Sequence, residues 1–70
     1  MRETLDSKVA KFLRKKRGEM TYDAFSRKIG VSKSMLFRLE SGQQSITLRT
    51  LQSILDRLKV PVSDVFDREE

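Results

Sequence analysis

The chain has 70 residues, 15 Lys/Arg against 10 Asp/Glu, and a formal charge of +5, enough for one domain spanning 1–70, near the lower size limit for unaided folding. Cysteine and histidine are both absent, which removes disulfides, thiolate metal sites, the commonest metal ligand and the commonest general base. No catalytic residue, metal or cofactor is implied, and an enzyme is not expected.

In chain order, Leu5, Val9, Phe12 and Leu13 follow the i, i+4, i+7, i+8 pattern of an amphipathic helix. The run Arg14-Lys15-Lys16-Arg17 falls at its C-terminal end, where cations favour the macrodipole, and Gly18 can stop it. That run reads as a helix end with its charges in solvent rather than as a targeting patch. Thr21 is the next N-cap candidate, with Asp23 in the following first turn and Phe25 and Ile29 pointing inward together. Ser26 is small enough for a close helix crossing.

The stretch Ser26 to Gly42, S-R-K-I-G-V-S-K-S-M-L-F-R-L-E-S-G, reads as a helix end, a glycine turn, a capped second helix and a glycine stop. Gly30 can take positive φ, and Ser32 can accept from the free N–H groups of the turn it begins. On a wheel from Lys33, Met35, Leu36 and Leu39 share one face; Lys33, Ser34, Phe37, Arg38 and Ser41 share the other. A helix that packs by one side and offers cations, hydroxyls and one ring on the other suits a DNA major groove.

Gln43-Gln44-Ser45 is a loop by composition. Thr47 can cap a fourth helix carrying Leu48, Leu51, Ile54, Leu55 and Leu58 at helical spacing, and Pro61 lies beyond its end. Ser63 can cap a last short turn with Val65 and Phe66 folding back, and residues 67–70 are expected to fray. Asp64, Asp67, Glu69 and Glu70 read as solvated charge. The predicted fold is all-α, a compact five-helix bundle with the helix-turn-helix at helices 2 and 3, about residues 21–41. Charge is uneven: residues 1–17 carry seven Lys/Arg against Glu3 and Asp6, while 48–70 carry a net of minus one. A basic balance of this kind suits a polyanionic partner. No apolar run approaches the ~20 residues of a membrane span and the N-terminus is not signal-like, so a soluble cytoplasmic protein is expected.

Thr21, Phe25, Ser26, Gly30-Val31-Ser32, Leu36, Leu39-Glu40, Gly42, Leu48, Leu51, Ile54, Leu58, Val60, Val65 and Phe66 together resemble the phage repressor and Cro type of helix-turn-helix domain, the XRE family. The resemblance implies a lambda-repressor-like bundle, a bacterial or phage origin, double-stranded DNA as partner, no small-molecule substrate, and a transcriptional regulator acting as a homodimer. By residue matching it places Lys33, Ser34, Phe37 and Arg38 where family members read bases. It places Tyr22, Ser32, Ser41, Gln43 and Gln44 near phosphates, and Arg14 and Glu40 at an internal ion pair. The chain departs from the pattern in having Tyr22 where glutamine is usual, Phe37 where a polar residue is common, and Arg14 one residue further from Thr21. With an unchanged register Lys15 would take the pairing role.

Alternatives stand beside each of these. Lys33 and Arg38 could donate to guanine O6 and N7 or only touch phosphates. Phe37 could meet a thymine methyl, or tuck against Tyr22 or a partner chain. Val62, Val65 and Phe66 could form a dimer surface or close the monomer core. The regulator reading competes with an antitoxin or adaptor module that binds protein through the same helix, and with a non-specific nucleoid protein.

Overall fold

The computed structural model describes residues 4–66, which form five helices: α1 (Leu5–Arg17), α2 (Tyr22–Ile29), α3 (Lys33–Glu40), α4 (Leu48–Leu58) and α5 (Ser63–Phe66). There is no strand among the described residues. The radius of gyration is 11.3 Å, close to the ~11 Å expected of a folded chain of this length. The expected fraying of residues 67–70 lies outside the described residues.

The four longer helices start the same way. Thr4, Thr21, Ser32 and Thr47 each hold extended φ/ψ, and each hydroxyl accepts from the amide three residues on, at Ser7, Ala24, Met35 and Thr50. Each cap satisfies one of the amides that a helix start leaves without a partner, a contribution of about 1 kcal/mol. Ser63 does not cap α5; it is the first residue of that helix, which begins in a turn where Asp64 and Val65 donate to the carbonyls of Pro61 and Val62.

Helix ends follow backbone chemistry. Gly30 takes left-handed φ 81, letting its own amide and that of Val31 both reach the Ser26 carbonyl at 2.8 and 3.0 Å. The same glycine also makes room: the Arg57 Nε of α4 lies 2.8 Å from where a Cβ would stand. At the end of α4 that conformation falls to a lysine, Lys59 with φ 61.

The core joins Val9, Phe12 and Leu13 of α1, Phe25 and Ile29 of α2, Leu36 and Leu39 of α3, Leu51, Ile54 and Leu55 of α4, and Val65 of α5. Eight residues of α3 would not hold a helix alone. Burying Leu36 and Leu39 contributes about 1.5–3 kcal/mol each and fixes which side of α3 turns outward; Met35 is half-buried beside them. Helix α1 packs on α3 and α5, while α2 packs on α3 and α4. Ser26 is buried at the α2 crossing, its hydroxyl donating back to the Asp23 carbonyl at 2.9 Å.

Three residues expected to pack inward lie outside it, Phe66, which does not fold back on the bundle, among them. Leu5 and Leu48 are 67% and 84% exposed. Each is the first residue of its helix, ahead of the packed turns that begin at Val9 and Leu51. Val65 is buried while Val62 and Phe66 are exposed, so the three do not form one outward surface.

Candidate functional site

The outer side of α3 is open. Lys33, Ser34, Phe37 and Arg38 are all exposed, opposite Leu36 and Leu39. They are brought together with the start of α2: Thr21, Tyr22 and Asp23 form one bank, and Lys33, Ser34, Phe37 and Arg38 the other, of an open depression of about 560 Å³. Thr21 and Asp23 were not among the residues predicted from sequence to form the site. Asp23 is paired with Arg27 one turn on, which offsets its negative charge at the rim.

Phe37 tucks against Tyr22, one of its expected circumstances, and yet stays open on its other side. Its ring contacts Tyr22 edge-on, with centroids 5.9 Å apart and planes at 69°, and it is still 52% exposed. Tyr22 is itself held from the other side: the Arg17 guanidinium lies 4.2 Å from the centre of its ring, a cation–π distance.

Arg17 also decides how α3 is anchored. Its Nε donates to Glu40 Oε2 at 2.9 Å and its Nη1 to the Met20 carbonyl at 3.1 Å. The Glu40 bond and charge raise the Arg17 pKa above its ordinary value, so it stays cationic. The carboxylate pair expected of Arg14 is therefore made by Arg17; Arg14 donates instead to the main-chain carbonyl of Glu40. Arg17 is the more enclosed of the two, its side chain 21% exposed, whereas Arg14 is exposed. Spacing alone does not separate them, since Arg14 follows the buried Ala10 by four residues as Arg17 follows Leu13. The basic run at the end of α1 is thus not wholly solvated.

The remaining predicted residues sit around α3. The Ser32 hydroxyl accepts the Met35 amide as N-cap. The Ser41 hydroxyl donates to the carbonyls of Phe37 and Arg38, closing the helix, and the Gln43 amide reaches the Arg38 carbonyl at 2.9 Å. The Gln44 amide oxygen accepts from Arg38 Nε at 2.7 Å, a tether on a cation that would otherwise swing freely. Ser45 donates to Asp6 at 2.8 Å, fastening the α3–α4 loop to the start of α1. Among the described residues no cluster of carboxylates could hold a metal ion, and no described helix is long and apolar enough to cross a membrane.

A family model described as helix-turn-helix matches residues 11–65, from the middle of α1 to α5. The chain belongs to the XRE-type helix-turn-helix family. Comparison with curated proteins and with solved structures finds no match. As a helix-turn-helix domain, the chain falls in a family of DNA-binding domains rather than of enzymes. In this helix-turn-helix protein α2, the turn at Gly30 and α3 make up the motif.

Proposed function

We propose that the protein is a sequence-specific transcriptional regulator that lays α3 in the major groove of an operator. The observation that carries this reading is the division of α3 into a buried side, Leu36 and Leu39, and an unobstructed side bearing Lys33, Ser34, Phe37 and Arg38. Lys33 and Arg38 supply donors for guanine O6 and N7, Ser34 a hydroxyl and Phe37 an apolar contact. Tyr22, Ser32, Gln43, Gln44 and Ser41 surround that side, where phosphates would lie. Ser32 accepts the Met35 amide and keeps its hydroxyl proton to offer a phosphate, whereas the Ser41 hydroxyl donates within its own helix and would have to leave the Phe37 and Arg38 carbonyls to do so. Two copies related by a two-fold axis would place half-site centres about 34–36 Å apart. Val62, just ahead of α5, and Phe66, its last residue, are both exposed and are the residues that would meet across that axis.

The test is selection of bound sequences from a random duplex library, followed by titration of the winner and of random DNA at several salt concentrations. A specific duplex should bind about 10³-fold or more tighter than random DNA. Its affinity should fall linearly on a log–log salt plot, with a slope near −0.9 per phosphate neutralised. Equal affinity for all duplexes would support the nucleoid reading. No DNA affinity, together with a protein complex lost on substituting Phe37, would support the adaptor.

A further inference from the structure

We infer that the corner between Tyr22 and Phe37 is a receptor for the 5-methyl group of a pyrimidine, so that the protein reads the methyl itself, on thymine or on 5-methylcytosine. The inference rests on the regulator reading and extends it to the chemistry of one subsite. An aromatic ring on the open side of α3 has no hydrogen bond to offer a base edge. The one apolar group that bases present in the major groove is the 5-methyl of thymine; methylation of cytosine puts the same group at the same ring position.

The corner is built rather than incidental. Phe37 alone would be a mobile ring, but Tyr22 meets it edge-on at 5.9 Å. Tyr22 in turn is backed by Arg17 at 4.2 Å, and Arg17 is fixed by the buried Glu40 carboxylate. Two rings at 69° give a concave apolar angle that a methyl can enter while both rings keep their mutual contact. Lys33 and Arg38 line the same depression. They can donate to the purine partner of the methylated base or of its neighbour, through adenine N7 opposite thymine and guanine N7 and O6 opposite 5-methylcytosine. The site therefore accepts either methylated pyrimidine and disfavours unmodified cytosine. Tyr22 serves in it as a wall through its ring, whether or not its hydroxyl also meets a phosphate.

The test uses the full chain and the duplex selected above. Each thymine in turn is replaced by deoxyuridine, which removes only the methyl. At one or two positions per half-site this should weaken binding about three- to tenfold, the effect of one buried methyl group. At the same positions a 5-methylcytosine–guanine pair should bind more tightly than an unmodified cytosine–guanine pair by a similar factor. Both factors should fall to about one in Phe37→Ala and in Tyr22→Ala, and persist in Tyr22→Phe. Deoxyuridine tolerated at every thymine, or a loss that persists in Phe37→Ala, would overturn the receptor. The deoxyuridine series on the unaltered protein needs no variant to fold, and Tyr22→Ala carries the comparison if Phe37→Ala loses its helical signal. A library that yields no preferred duplex overturns the regulator reading, and this inference with it.

Discussion

Arg17 and Glu40 join the end of α1 to the end of α3 across 23 residues of sequence, Nε to Oε2 at 2.9 Å. The carboxylate is 2% exposed, and its Oε1 has no hydrogen-bond partner among the described residues. A carboxylate in that position depends on the cation bonded to it. Arg17→Ala should therefore lower the melting temperature by more than about 10 °C, because it strips the bonded guanidinium from a buried charge. Arg14→Ala removes a bond to a carbonyl and should cost only a few degrees by comparison. Adding Glu40→Gln to Arg17→Ala should recover part of the loss. Thermal unfolding followed by circular dichroism ranks the three; a larger effect at Arg14 would reverse the assignment.

Gly30→Ala should destabilise by about 1–2 kcal/mol, the cost of holding a side chain at left-handed φ. The neighbouring Arg57 tip, 2.8 Å from the new Cβ, is the far end of a flexible side chain and can swing away. Adding Arg57→Ala should therefore rescue little. Full rescue in urea denaturation would mean that crowding, not φ, is the constraint.

Lys59 holds φ 61 at the end of α4, where glycine has no Cβ to strain. Lys59→Gly should stabilise the protein by about 1 kcal/mol, raising the urea midpoint with the slope unchanged. A lowered midpoint would show that the lysine makes a compensating contact.

Arg38→Ala should cost about 1–3 kcal/mol of discrimination at one base pair if its guanidinium meets guanine. Gln44→Ala keeps that charge and removes only the 2.7 Å tether on its Nε, so it should blunt selectivity at the same base pair by a smaller amount. Competition binding against single-base operator variants measures both. A Gln44→Ala effect equal on all sequences would instead mark Gln44 as a phosphate contact.

Local chemistry made much of this fold legible in the sequence. Thr21, Ser32 and Thr47 are hydroxyl residues ahead of periodic apolar runs, and each caps a helix. The inward set of α3 followed from a wheel alone. What stayed hidden depends on neighbours. A wheel assigns Leu5 and Leu48 to apolar faces but does not show where the packed turns begin. The partner of Glu40 depends on how α1 is set against α3, which the loop at Gly18 to Met20 fixes and residue matching alone does not. The Tyr22–Phe37 contact could be raised as a possibility, but its coexistence with half-exposure of Phe37 is a matter of three-dimensional placement. So is the Arg38–Gln44 bond, since both residues are polar, surface-facing and six apart.

Lys33, Ser34 and Arg38 take no part in the core, so their replacement alters what α3 offers outward and leaves Leu36 and Leu39 untouched. Position 37 differs, because its ring is linked through Tyr22 and Arg17 to the carboxylate that pins the helix. On the proposed reading, divergence can thus rewrite three letters of the recognition alphabet one at a time, while the fourth is inherited together with the scaffold.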